Sequence, residues 1–339
     1  MKALLIGGTG TISSAITKLM AKNEDWELYL FNRGNHNEEV PENVKIIQGD
    51  IGNEAEAAKL LEGMKFDCVA EFTGFTPDQV ERDIRLFTGK TKQFIYISSA
   101  SGYQTPPSQP YMTEGMLMNN PYWKYAQDKI ACENVLLQAL REDKFPVTIV
   151  RPSHVYCDKA LPFCLEADNG SWPIIKRMLE GKRVIMPGDG SSLWAITYNE
   201  DFAKAFMGLM GNTHAIGEAI HITTDELLTW DQMAQTVADA LNVEYKPYYI
   251  STDMLVAIKP SLSDWQNGDK RHSVIYDNTK IKHFVPGFEA TVTWRIGVER
   301  ALKKILANPE LQKEDPAFDA WCDRLIEVFD KAIETARNQ

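Results

Sequence analysis

The chain of 339 residues is 44% hydrophobic and 24% charged, the balance of a soluble globular protein with one large or two moderate domains. Its net charge of −11, from 36 basic and 47 acidic residues, argues against nucleic acid or an anionic membrane as partner. The five cysteines (Cys68, Cys132, Cys157, Cys164 and Cys322) form no Cys-x-x-Cys pair and no Cys/His cluster, so the pattern offers no zinc or disulfide framework and points to a reduced, cytoplasmic protein without a metal.

Residues 2–6, Lys-Ala-Leu-Leu-Ile, read as a first strand, too short an apolar run for a signal peptide or a membrane span. Gly7-Gly-Thr9-Gly10-Thr11-Ile12-Ser13 follows at once, then a helical run over 14–22. Strand, glycine-rich turn and helix in this order are what a dinucleotide site needs, and a glycine turn that holds no ligand is the plain alternative. Glycines let the backbone approach the pyrophosphate, and the helix N-terminus offers free amides and a positive dipole end. Ser13 stands where a third glycine is usual and is small enough to keep helix and strand close.

A second strand over 26–31 ends in Asn32-Arg33-Gly34. An acid at this point would hold the adenosine ribose hydroxyls. Asn32 leaves no carboxylate to repel a 2′-phosphate, and Arg33 offers a guanidinium to grip one, which leans toward NADP over NAD. A solvated loop charge is the plain alternative for Arg33. The third strand, 44–48, ends in Gly49-Asp50-Ile51, where an acid can bond the adenine amino group. A helix over 54–61 leads to strand 67–72, which ends in Phe72-Thr73-Gly74. A helix around 79–86 leads to strand 93–97, which ends in Ser98-Ser99-Ala100-Ser101. Residues 104–121 carry four prolines and read as a loop. A helix over 122–141 and a strand over 147–150 follow, the strand ending in Arg151-Pro152-Ser153-His154-Val155-Tyr156. This alternation predicts an α/β fold with a Rossmann-type doubly wound parallel sheet and its ligand at the carboxyl strand ends.

Past Tyr156 the pattern is less regular. Helices are read over 172–179, 201–210, 229–241, 253–258, 293–306 and 315–337, and strands over 183–186, 194–198, 219–223 and 245–250, with a polar stretch over 260–272. We therefore expect residues 1–156 to form the dinucleotide domain, joined by parts of 194–224 and 273–300. Residues 157–339 should mainly form a smaller α/β substrate-binding domain.

Tyr125 and Lys129 are four residues apart in the 122–141 helix, which has no Gly or Pro and an apolar face of Ile130, Val135, Leu136, Leu137 and Leu140. Both side chains leave one face of that helix. An ammonium beside a phenol favours the phenolate and lowers a pKa that starts near ~10, so the phenol can exchange a proton with an alcohol or carbonyl. An ordinary surface pair shares the same spacing.

Taken together, Gly7-Gly-Thr-Gly10, Asp50-Ile51, Ile97-Ser-Ser-Ala, Tyr125-x-x-x-Lys129-x-x-x-Glu133 and Arg151-Pro152-Ser-His-Val-Tyr156 resemble, in order, the motifs of the extended short-chain dehydrogenase/reductases, the NAD-dependent epimerase/dehydratases. The resemblance implies that Ser99 bonds the substrate oxygen, with Ser98 its competitor or a cofactor contact. It implies that Tyr125 is the acid/base, and that Lys129 tunes it and binds the nicotinamide ribose. Pro152, Ser153 and Val155 would lie near the carboxamide, and Gly7, Thr9, Gly10, Thr11, Ile12, Asn32, Arg33, Asp50, Ile51, Phe72, Thr73 and Gly74 would hold the rest of the dinucleotide. It also implies a homodimer built on the Tyr125 helix. Gly-Gly-Thr-Gly-x-Ile-Ser and Phe-Asn-Arg-Gly are similar to a side branch with chloroplast stem-loop RNA-binding proteins.

The reading is an NAD(P)-dependent epimerase or reductase acting on a hydroxyl or carbonyl carbon of a sugar-nucleotide-like or other small substrate. Ala100 and Ser101, rather than acids, follow Ser99, which disfavours a dehydratase. The alternative is a non-catalytic protein that keeps the cofactor fold to bind RNA or a regulatory partner. His154, just past a strand end, is either a substrate ligand or a structural histidine; His221, Trp194 and Tyr198 read as core.

Overall fold

The computed structural model describes residues 1–338. The chain divides into two compact units: Met1–Val155 with Ala195–Asp225 and Tyr276–Thr291, and Tyr156–Trp194 with Glu226–Ile275 and the chain from Val292 onward.

The first unit is built on seven parallel strands: β1 (Lys2–Ile6), β2 (Glu27–Asn32), β3 (Lys45–Gln48), β4 (Cys68–Glu71), β5 (Phe94–Ile97), β6 (Val147–Pro152) and β7 (Ala219–Ile222). Their order across the sheet is β7-β6-β5-β4-β1-β2-β3. The order reverses between β1 and β4, the point at which such sheets open a crevice for ligand. The helices α1 (Ser13–Met20), α2 (Glu54–Leu60), α3 (Pro77–Phe87) and α4 (Lys124–Asp143) connect the strands.

Strand side chains alternate between faces, and the sequence pays attention to both. Ala3 and Leu5 pack with Leu30, Ala70 and Ile95 against α1 and the helix Asn199–Leu209, through Ile16, Phe202 and Phe206. Leu4 and Ile6 face the other way, with Val69, Phe94, Tyr96, Val147 and Ile149, onto α2, α3 and α4 through Ala57, Val80, Phe87, Cys132 and Leu136. Each large apolar side chain buried this way contributes about 1.5–3 kcal/mol. β7 is the edge strand beside β6, with His221 opposite Arg151. The 219–223 strand is thus part of the main sheet.

α4 begins at Lys124, two residues later than the apolar pattern predicts, because Asn120 accepts the Tyr122 N–H and holds the approach extended. It ends at Lys144, whose φ of 59° is left-handed, just before Phe145-Pro146.

The second unit carries the helices Trp172–Leu179, Trp230–Leu241, Trp294–Ala307 and Pro316–Arg337 and a parallel pair of strands, Val184–Pro187 and Pro247–Ile250. Buried Arg177 binds it together, donating to Asp319, Asp323 and the Arg183 carbonyl. The expected single strand over 194–198 is two: Leu193–Trp194, paired with Leu228–Thr229, and Ile196–Tyr198. The break at Ala195 is where the chain passes from one unit to the other. The polar 260–272 stretch folds as a 3₁₀ turn, a helical turn and a π-helical turn, Gln266–Lys270. Among the described residues no helix is long and apolar enough to cross a membrane, and no group of three His, Cys, Asp or Glu could hold a metal ion.

Candidate active site

The turn after β1 is glycine for steric reasons. Gly7 has φ +82°, and a Cβ there would lie 2.4 Å from Thr73 Cγ2. A Cβ on Gly8 would lie 2.4 Å from Leu30 Cδ2. Gly10 differs: its Cβ would meet only Ser13 Oγ, at 3.5 Å, so that position faces open space. Ser13 does more than fit. Its Oγ donates to the Gly7 carbonyl at 2.6 Å and accepts the Gly10 N–H at 3.0 Å, closing the turn on itself. Thr17 Oγ1 donates to the Gly8 carbonyl (2.7 Å), and Asn199 Nδ2 to the Thr11 carbonyl (3.0 Å). The loop is therefore held rigid before any ligand arrives.

A cleft of about 650 Å³ opens over this turn, at the carboxyl ends of β1, β2, β3, β4 and β5. Gly7, Thr9, Gly10, Thr11 and Ile12 line it, with Asn32 and Arg33 from β2, Asp50 and Ile51 after β3, and Phe72 and Thr73 after β4. Ser98, Tyr125, Lys129 and Pro152 close the far end. Five of the expected site residues stand outside this lining: Gly74, Ser99, Ser153, His154 and Val155. The Gly74 carbonyl instead accepts from Lys129 Nζ and Tyr96 Oη. Ser153 Oγ lies 3.4 Å from Thr197 Oγ1, and His154 and Val155 form a short strand with Tyr156.

Lys129 is 2% exposed, and its Nζ donates to the Gly74 and Ile97 carbonyls, each at 2.7 Å. It sits 4.6 Å from the Phe75 ring centre and 5.9 Å from that of Tyr125. Burial lowers its pKa to about 8, a fall partly offset by neighbouring Cys132, Glu71 and Glu133. The Tyr125 ring is flanked by Trp123 (5.0 Å) and Phe75 (6.3 Å).

Ser98 Oγ donates to Glu133 Oε1 at 2.5 Å. Glu133 is in turn gripped by Arg151 through two bonds, at 2.9 and 2.6 Å, and all three side chains are buried. Burial opposes the Arg151 charge, but the bonds to Glu133 outweigh it and hold the guanidinium protonated. The third residue of the Tyr-Lys-Glu spacing thus ties α4 to β5 and β6. Ser99 Oγ lies 2.8 Å from Ser101 Oγ. His221 is fully buried, with Nδ1 3.2 Å from Tyr103 Oη and Nε2 2.5 Å from the Asp277 carbonyl, and burial lowers its pKa.

At the other end, Asn32 is spent on its own loop: Oδ1 accepts the Gly34 N–H and Nδ2 donates to Asn37, both at 3.0 Å. Arg33, Asn35 and His36 line the cleft there. Asn35, His36, Gln79 and Arg82 escaped the sequence reading. The last two sit one turn apart in the first turns of α3, where Thr76-x-x-Gln79 is the signature of a capping box that was there to be read.

A rigid glycine turn at the N-terminus of α1, a cleft within the ~300–1,000 Å³ of small-molecule sites, and a guanidinium and an ammonium at opposite ends fit a dinucleotide of the NAD type. Fold and site define a Rossmann-type nucleotide-dependent enzyme. The model of the NAD dependent epimerase/dehydratase family matches residues 3–223, and the chain belongs to that family. It is 21% identical over 253 residues to the 2'-dehydrokanamycin reductase of Streptomyces kanamyceticus, covering 75% of this chain and 70% of that protein. It is 23% identical over 252 residues to the chloroplast stem-loop binding protein of 41 kDa b of Arabidopsis thaliana, covering 70% and 63%. The fold matches UDP-glucuronic acid 4-epimerase from Bacillus cereus, solved in complex with NAD, with a TM-score of 0.72 at 20% identity over 92% of this chain and all of that one.

Proposed function

We propose that the protein is an NAD(P)-dependent epimerase or reductase that works at a hydroxyl or carbonyl carbon of a sugar-nucleotide-like or other small substrate. The observation that carries this reading is that Tyr125 and Lys129, one turn apart on α4, line the same cleft as the Gly7–Ile12 turn. Bound nicotinamide would supply hydride acceptance and donation. Tyr125 moves the proton at the substrate oxygen. Lys129, anchored by the Gly74 and Ile97 carbonyls, sets a positive charge where negative charge develops as that proton leaves. The glycine turn binds the pyrophosphate, and Asp50 and Ile51 receive the adenine. The second unit, in this reading, selects the substrate.

Two serines compete for the substrate oxygen. Ser98 faces the cleft, but its proton is committed to a carboxylate. Ser99 Oγ meets the Ser101 hydroxyl at 2.8 Å and accepts the Ser101 N–H at 3.2 Å; neither partner is charged, a weaker hold than a carboxylate, so it gives up less to turn toward substrate. We assign the contact to Ser99. At the β2 end the preference is NADP, since Arg33 faces the cleft while Asn32 is occupied by its loop.

A catalytically silent RNA-binding role has the Arabidopsis relative in its favour. The net charge of −11 and the complete Tyr125–Lys129 pair in the cleft oppose it. The test is turnover of NADPH and NADH at 340 nm with a panel of carbonyl compounds, together with product analysis of UDP-sugars for epimerisation. Turnover that disappears in Tyr125→Phe supports the reading, and a protein that binds neither dinucleotide overturns it.

A further inference from the structure

Gln79 and Arg82 leave α3 one turn apart and both line the cleft. Each is fastened at one end only. Gln79 Oε1 accepts the Phe75 N–H at 2.6 Å and the Thr76 N–H at 3.2 Å, while its Nε2 has no protein partner among the described residues. Arg82 is 7% exposed; its Nε and Nη2 donate to Asp83 Oδ1 at 2.9 and 2.7 Å, and its Nη1 has no protein partner among the described residues. Two donors are thus pre-aimed, their side chains unable to turn away without giving up existing bonds.

The wall behind Arg82 is unusual. Glu71 and Asp83 are both buried, and each leaves one oxygen, Oε2 and Oδ2, without a donor. Arg82 Nη2 lies 3.8 Å from Glu71 Oε2. Glu71 Oε1 accepts the Thr73 hydroxyl at 2.6 Å and the Thr73 N–H. Burial pushes both carboxyls up, and the Arg82 guanidinium beside them opposes that rise. Arg82 thus has acidic side chains on two sides, Asp83 bonded to it and Glu71 3.8 Å away, and these offset its charge. A donor edge whose charge is already balanced suits a neutral acceptor; a phosphate needs the unbalanced cation that Arg33 offers at the β2 end. Ile51 packs on the same face of the sheet as α3 and also lines the cleft, so an apolar surface stands beside the donors.

We propose that Gln79 Nε2 and Arg82 Nη1 donate to ring nitrogens of the adenine base, with the ring against Ile51, and that Glu71 and Asp83 are positioning residues for Arg82. This rests on the dinucleotide reading of the cleft.

The clean variant is Gln79→Glu. It keeps an oxygen for the Phe75 and Thr76 amides, and an acid in the first turn of a helix is favourable, so the fold is retained. It also sets an acceptor against an acceptor. Calorimetric titration of wild type, Gln79→Glu and Arg82→Lys with NAD, AMP and nicotinamide mononucleotide is the experiment. The expected result is about a tenfold loss of affinity for NAD and AMP in both variants. Nicotinamide mononucleotide, which lacks the adenine, should be unaffected, and Gln79→Glu should melt at the wild-type temperature. Unchanged AMP and NAD affinity in Gln79→Glu, with NAD still bound by wild type, overturns this inference alone. A wild type that binds neither NAD nor NADP overturns it together with the reading it rests on.

Discussion

Lys129 Nζ stands 5.9 Å from the centre of the Tyr125 ring, one helical turn away, with two of its three protons given to the Gly74 and Ile97 carbonyls at 2.7 Å. The lysine is thus fixed to the ends of β4 and β5, and its charge acts on the phenol through space. Tyr125→Phe keeps the ring between Trp123 and Phe75 and removes only the proton. We predict unchanged folding and nearly unchanged cofactor affinity, with turnover down by ~10²–10⁴. Lys129→Met should lose both turnover and cofactor affinity, since it removes a charge that Tyr125 and the ribose would share. Steady-state rates and cofactor titration of the two variants separate the roles.

Burial places the Lys129 pKa at about 8 in the free protein. The ammonium is therefore charged below that pH and neutral above it. We predict that cofactor affinity is flat up to about pH 8 and weakens beyond it. Titrations between pH 6.5 and 9.5 check this, and Lys129→Met should show no such loss over the same range.

Arg33 faces the cleft at the end of β2 with no carboxylate beside it on that strand end. We predict that Arg33→Ala weakens NADP binding by about tenfold or more and NAD binding little, because only NADP carries the phosphate that a guanidinium pairs with. Equal losses for the two cofactors would remove Arg33 from this role.

Arg151 and Glu133 form a buried two-bond ion pair that joins β6 to α4 and holds Ser98. Arg151→Met leaves the Glu133 charge buried without its partner, a loss of about 3–5 kcal/mol. Chemical denaturation should show the transition at lower denaturant than in wild type, with Tyr125→Phe as the control that does not shift.

What could be read from the sequence is local. Gly7 to Ser13 and Tyr125 to Lys129 are short patterns whose chemistry follows from spacing along one turn or one helix, and both lie in the cleft. What escaped is long-range. Ser98, Glu133 and Arg151 meet across three elements, and nothing in any one of them announces the others. Glu71 at the end of an apolar strand, and Arg82 beside Asp83 on an otherwise ordinary helix, acquire meaning only when packing brings them together. Ser13 looked like a tolerated substitute for glycine and is instead the residue that closes the turn. The strand expected over 194–198 failed for a related reason: continuous apolar and aromatic residues do not reveal that the chain changes partners at Ala195.

The most direct test of a dinucleotide in this cleft is the affinity of Gly10→Val for NADP and NAD beside that of wild type. Gly10 lacks the left-handed φ of Gly7, and a Cβ at this position meets only Ser13 Oγ at 3.5 Å, so the variant should fold with wild-type circular dichroism. The branched side chain would fill the open space over the turn where the pyrophosphate is to lie. The account predicts that wild type binds and Gly10→Val does not. A folded Gly10→Val that binds both cofactors as tightly as wild type would contradict it.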